Sequence, residues 1–219
     1  MGAVRGVFES QAGGQVYRRE SWTLETSAAG SALRCEGAEP TGRGRTFKLD
    51  AKFGPVGDLE VLDFQVALTP PPTEVTTFAL RVYGGRAYGS VIPPGGIPEK
   101  LETVADPGFA VRGFSTALDG LLAAQSGLKV GHGRRMVVIA LDTPDARPRI
   151  RDGMLLCKSR SRAKAPTREE WCNTYEFRWA ESAGRPDATL LVTRNGAVLS
   201  AEQSHGPAPF TTQLVEFFP

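Results

Sequence analysis

Residues 46–53 alternate without a break. Phe47, Leu49, Ala51 and Phe53 fall on one side of an extended chain, and Thr46, Lys48, Asp50 and Lys52 on the other. A period of two marks a strand with one buried face and one wet face. Gly54-Pro55-Val56-Gly57 turns the chain, and Leu62, Phe64, Val66 and Leu68 resume the alternation, which predicts a hairpin. Thr69-Pro70-Pro71-Pro72 ends it, because proline has no N–H to give to a ladder. Phe78, Leu80 and Val82 alternate up to Gly84-Gly85, and Tyr88 to Ile92 returns across that turn. Residues 135–142 are almost continuously apolar, as in a strand covered on both faces. Trp171, Tyr175, Phe177 and Trp179 share one face of 170–180. Asn195-Gly196, between two apolar runs, predicts a tight hairpin with both central residues at positive φ. Gln213–Phe218 reads as a last strand.

One segment follows a different period. Phe114, Leu118, Leu121, Leu122 and Leu128 fall at helical spacing, with Ser115 placed to cap the start and Gly127 to stop the end. Gly120 inside this helix costs about 1 kcal/mol relative to alanine, so the helix needs the sheet to persist. The pattern adds up to about twelve strands with short connections and one amphipathic helix. The expected fold is mainly β, a curved antiparallel sheet or open β-barrel with the helix packed on it. A single β-rich domain over 1–219 is expected. An echo between 22–34 (WTLETSAAGSALR) and 179–190 (WAESAGRPDATL) leaves two similar halves, divided near 112–134, as a variant. Chance in an Ala- and Gly-rich chain produces such an echo too.

Composition agrees with this picture. The 219 residues include 25 Gly and 16 Pro, which suit many tight turns. Charged residues make up 23%, and the net charge of +2 is too small to imply nucleic acid. Met1 to Phe8 shows no apolar core of signal-peptide length, and Gly6 stands where a myristoylation signal needs Ser or Thr. No run approaches the roughly 20 apolar residues of a membrane span. Cys35, Cys157 and Cys172 are an odd set without close spacing, expected to be buried thiols of a reduced, cytoplasmic protein.

Candidate chemistry is sparse. His132 and His205 both lie in glycine-flanked, turn-like sequence with no orienting partner nearby. Close Cys or His pairs of the zinc kind are lacking, as are the Walker, GxGxxG, GxSxG and HExxH motifs, so no metal or cofactor is expected. Gly42-Arg43-Gly44-Arg45 leads into a strand and reads as a turn, not a phosphate loop. Glu169 and Glu170 are adjacent, so on a strand they face opposite ways and form no acid/base couple.

Two features carry functional readings. Lys158, Arg160, Arg162 and Lys164 would share one face of an extended run, close after Arg147, Arg149 and Arg151, as a ridge for phosphates or anionic lipid heads. With 163–166 as a hairpin loop, however, Arg160 would face Glu169 and be neutralised, and Cys157 would face Cys172. Trp22, Trp171, Tyr175, Phe177 and Trp179 would either line a ligand cleft or form ordinary core.

The run Ala188-Thr-Leu-Leu-Val-Thr-Arg-Asn195-Gly196-Ala-Val-Leu199 resembles the penultimate hairpin of the putative glycolipid-binding family of bacterial proteins. More distantly, the pattern resembles the half-barrel lipoprotein carriers. No acidic residue precedes the turn and no Tyr-Pro follows it, and the carriers are exported proteins with a leader. The resemblance implies an open barrel and a lipid-like ligand, and carries over no binding residue. The expectation is a non-catalytic binding protein for a lipid-like or other amphipathic small molecule. The alternatives are an interaction protein binding an anionic partner through 147–164, and a hydrolase using a loop histidine.

Overall fold

The computed structural model describes residues 2–38, 46–54, 61–69, 76–83, 85–92, 96–104, 109–112, 115–140, 149–182, 185–204 and 210–218. In chain order the strands are β1 (Gly2–Ala12), β2 (Gln15–Ser27), β3 (Gly30–Ala38), β4 (Thr46–Phe53), β5 (Val61–Thr69), β6 (Thr76–Tyr83), β7 (Arg86–Ile92), β8 (Glu99–Val104) and β9 (Phe109–Arg112). The helix α1 (Thr116–Gln125) follows. The chain ends with β10 (Gly133–Ala140), β11 (Arg149–Lys164), β12 (Glu169–Trp179), β13 (Ala188–Thr193), β14 (Val198–Gln203) and β15 (Phe210–Phe218).

All fifteen strands belong to one sheet, in the order β8-β7-β6-β5-β4-β3-β2-β1-β15-β14-β13-β12-β11-β10-β9. Two meanders therefore join where β1 pairs with β15, and β8 and β9 are left as the two edges. The sheet is curved and not closed. Fifteen strands exceed the twelve read from the periodicity. β1, β8 and β9 escaped that reading, and β2 and β3 were visible only as half of the echo. Every pairing is antiparallel except β9 with β10, which is parallel. A parallel pair needs a crossover, and α1 supplies it.

The helix matches its sequence signals closely. Ser115 is the N-cap, accepting a hydrogen bond from the Leu118 N–H at 3.1 Å. Gly127 has φ +62°, the left-handed position that ends a helix. The burial differs from expectation. Nine of its ten residues are buried, so it is engulfed rather than laid on a surface. Its contacts run to β3, β9, β13 and β14. Gly120 explains how it fits. A Cβ there would lie 2.3 Å from the Val198 Cγ2 and 2.7 Å from the Gly196 carbonyl oxygen.

Polar anchors fix the helix at its start. The buried Glu20 carboxylate of β2 accepts from the Ser115 hydroxyl at 2.5 Å, from the Thr116 N–H at 3.0 Å and from Arg18 at 2.9 Å. These first-turn N–H groups have no partner inside a helix, and an anion beside them meets the positive end of the macrodipole. Asp119 is held by a two-point contact from Arg112 of β9, at 2.8 and 3.2 Å, and that guanidinium lies 3.9 Å over the Phe177 ring.

The core is filled. Between α1 and strands β9–β13, a space of only about 20 Å³ remains among Ala110, Leu122, Met136, Leu155 and Phe177. Interiors packed to this density have no room for a ligand. Glycines let large rings approach neighbouring strands. Trp22 lies across from Gly6, and Trp179 across from Gly153.

Candidate functional site

The strands β11 and β12 set the site. Both outrun their outer neighbours. β10 pairs with β11 only up to Leu156, and β13 pairs with β12 only from Cys172 onward. Residues 157–164 and 169–171 therefore extend as a two-stranded arm. Its register shifts at Lys158, with Cys157 opposite Tyr175 and Ser159 opposite Thr174. One extra residue is thus inserted into β11, and a bulge of this kind swaps the faces beyond it. Leu155 and Cys157 point inward before the bulge. After it, Arg160 stands opposite Asn173 and Arg162 opposite Trp171, on the strand face of Tyr175, and Arg160 lines the same hollow as Tyr175.

That hollow has a volume of about 780 Å³ and opens at the mouth of the sheet. The arm supplies Arg160, Trp171, Asn173 and Tyr175. The β13–β14 loop supplies Thr193, Arg194 and Asn195, and the end of α1 supplies Leu121, Ala124, Gln125, Gly127 and Leu128. Thr26 and Ser31, at the β2–β3 turn, complete it. Trp171 is 50% exposed, with the Arg160 and Arg162 guanidiniums 5.1 and 5.3 Å from its ring centroid. Cation–π contact at that range holds both Arg side chains near the ring.

The β13–β14 loop differs from the two-residue turn expected at Asn195-Gly196. The strands end at Thr193 and resume at Val198, and the Thr193 N–H donates to the Ala197 carbonyl at 2.8 Å. Gly196 has φ +88°, and the register of β13 with β14 shifts between Leu191 and Val192. The longer loop leaves Arg194 and Asn195 exposed at the hollow instead of folding them into a ladder.

The five candidate aromatics divide. Trp171 and Tyr175 line the hollow, while Trp22, Phe177 and Trp179 are core side chains no more than 3% exposed. Trp22 stacks on Phe8, and Phe177 meets Trp179 edge to face. The basic ridge divides as well. Lys158 reaches Glu176 at 3.9 Å on the outer face, and Lys164 stands opposite Glu169. Arg160 faces Asn173, not Glu169, because the strand continues to Lys164 and the turn is formed by 165–168. Among the described residues no carboxylate pairs with Arg160 or Arg162. Arg151 is paired with Glu181 and lies 4.0 Å over Trp179, and Arg149 is exposed. Arg147 falls outside the described residues, as do Gly42–Arg45 and His205.

The thiols do not pair. Cys157 is opposite Tyr175 and Cys172 opposite Ser161, so the register that would have set them face to face does not occur. Burial, with the nearby Glu170 charge, pushes the Cys172 thiol up to about 11. Burial likewise raises Cys157, Cys35 and the Tyr175 phenol. These are protonated, unreactive groups at neutral pH. The His132 ring contacts only its neighbour's backbone, the Val130 carbonyl at 3.2 Å, and no orienting carboxylate among the described residues. No group of three or more metal-ligating side chains occurs among the described residues. No helix there is long and apolar enough to cross a membrane.

The sequence had marked Arg160, Trp171 and Tyr175 as candidates. It missed Arg194, Asn195 and Gln125, which only the loop conformation and the position of α1 bring to the hollow.

A large open antiparallel sheet with an engulfed helix defines a β-barrel-like class of protein. Comparison with solved structures agrees. The chain is similar to the β-barrel-like protein of the domain of unknown function DUF1849 from Brucella abortus, with a TM-score of 0.60 and 14% identity over 98% of this chain and 96% of that one. At that identity the likeness is one of fold alone. A DUF1089 family protein from Pseudomonas aeruginosa gives a TM-score of 0.49 and 15% identity over 82% and 87% of the two chains. No family model and no curated protein matches the sequence. The resemblance read from residues 188–199 therefore holds at the level of architecture and ties the chain to no glycolipid-binding family.

Proposed function

We propose that this chain is a non-catalytic binding protein whose mouth hollow takes a small amphipathic molecule. The observation that carries this reading is Trp171, half bare beside an open space of about 780 Å³ and flanked by two guanidiniums. Hollows of roughly 300–1,000 Å³ with apolar walls and a few convergent polar groups suit ligands of this size. Leu121, Leu128 and the Trp171 ring offer apolar contact, and Arg160, Asn173 and Asn195 offer polar contact. The filled interior argues against a ligand buried deep between helix and sheet, so the apolar part of the ligand rests at the mouth. The lack of an oriented histidine at 132 removes support from a hydrolytic reading. The basic-surface reading merges with this one, since Arg160 lines the hollow and Arg162 flanks Trp171.

Trp22 and Trp179 are buried, so a ligand-dependent change in tryptophan emission reports on Trp171. Titration with a fluorescent fatty acid should show saturable binding, weakened in Trp171→Ala. The variant should melt within a few degrees of the parent, because a half-exposed side chain contributes little to stability. No saturable binding, together with no co-purified small molecule in native mass spectrometry, would end the proposal.

A further inference from the structure

We infer that the ligand is an anionic amphiphile whose head also carries a hydrogen-bond donor. This rests on the binding reading above and names its ligand class. Two kinds of polar group line the hollow. Arg160 of the arm and Arg194 of the β13–β14 loop line it, while no Asp or Glu occurs among the described residues that do. Neither arginine has an ion-pair partner among the described residues. Two exposed guanidiniums around one hollow without a compensating carboxylate favour an acidic group, which they can grip through charge-assisted hydrogen bonds.

The C-terminus of α1 lines the hollow as well. Its last turn contains no basic residue, so the negative end of the helix dipole is not offset by a side chain of its own. Gln125, 2% exposed, lines the hollow there. Its Nε2 reaches the Ser31 hydroxyl at 3.4 Å, and its Oε1 is buried with no partner among the described residues. Turning the amide over would exchange the two atoms and still leave one unpartnered. A buried polar atom left so carries a desolvation cost that a ligand group can remove. Beside helix carbonyls, the group that fits is a hydroxyl or N–H. The acid and the donor thus belong to one head, and Trp171 with Leu128 takes the chain.

The test is calorimetric titration of the full chain, below micellar concentrations, with four probes. These are 1-dodecanoylglycerol 3-phosphate, dodecyl phosphate, 1-dodecanoylglycerol and inorganic phosphate. The first should bind at least about tenfold more tightly than uncharged 1-dodecanoylglycerol, as a charge-assisted contact implies. The double variant Arg160→Gln/Arg194→Gln should erase that difference while leaving the uncharged probe within about twofold. Dodecyl phosphate, which lacks the hydroxyl, should bind roughly threefold or more weakly than its glycerol counterpart, and Gln125→Leu should close that gap. The gap in the parent protein already reads the donor should this buried substitution unfold the chain.

Equal affinity for charged and uncharged probes, or a double variant that keeps the preference, overturns the acidic group. An absent gap between the two phosphates overturns the donor. Inorganic phosphate competing on equal terms overturns the amphiphile in favour of a free-anion site. If no probe binds, the proposed function falls with the inference; if only the uncharged probe binds well, the function stands and the inference alone fails.

Discussion

At the residue scale, Gly120 reverses the usual rule for its type. In a helix interior, Gly→Ala normally gains about 1 kcal/mol. Here the added methyl would meet a Val198 methyl and the Gly196 carbonyl at impossible range, and the second is backbone that cannot swing away. Overpacking of this kind costs about 1–3 kcal/mol, so it outweighs the propensity gain. Gly120→Ala should lower the denaturant midpoint with an unchanged slope. The sequence showed the glycine and its cost, but not what it touches, because the contacting hairpin lies more than seventy positions away. Cys172 yields a second outcome at this scale. The thiol ionises from about 9 when unfolded and near 11 when folded. Between those values the unfolded chain binds fewer protons, so stability falls as pH rises through that window and is untouched by this thiol below it. Thermal melts at about pH 8 and about pH 10 should show a smaller alkaline loss in Cys172→Ala than in the parent.

At the scale of elements, the helix and the plainly alternating strands were legible, because each obeys its own period from end to end. The opening strands were not. Ser10, Arg18 and Glu20 are all buried, which breaks the apolar alternation of β1 and β2. Their partners are distant: Ser10 meets Thr212 at 2.8 Å, and Glu20 meets the start of α1. Polar residues turned inward for such partners leave a strand that looks like loop. The same arrangement makes Glu20 critical to the helix. Glu20→Ala removes one half of a buried ion pair and leaves first-turn N–H groups without their acceptor. Breaking a buried pair from one side costs about 3–5 kcal/mol. Hydrogen exchange should show α1 amides losing protection out of proportion to those of β4. β8 and β9 were missed for another reason: β8 is short and charged, and the four residues of β9 are too few to show an alternation.

For the whole molecule, the curved open sheet was visible from the abundance of strands, but its closure pattern was not. Nothing local announces that β1 pairs with β15, since residues such as Gln11 and Thr211 are two hundred positions apart. That seam joins the two meanders. Removing residues 205–219 would expose the flanks of both β1 and β14 as unpaired edges. Such a shortened chain should elute as aggregate in size-exclusion chromatography and lose cooperative melting, whereas removal of an edge strand's worth of contact elsewhere should be milder. Folding of the intact chain should also be slow, because its defining contacts are so non-local.

Lys158 has an effect out of keeping with its exposed position. As the supernumerary residue of β11, it sets the parity of everything that follows on that strand. Were it instead drawn into the ladder opposite Thr174, Arg160 and Arg162 would rotate to the outer surface and Ser159 and Ser161 would take their places. The charge at the cavity therefore depends on one irregularity of backbone pairing, with no change of any residue type. A one-residue slip there would leave Arg194 as the arginine still lining the mouth, whereas simple loss of Lys158 would straighten the strand and keep Arg160 opposite Asn173.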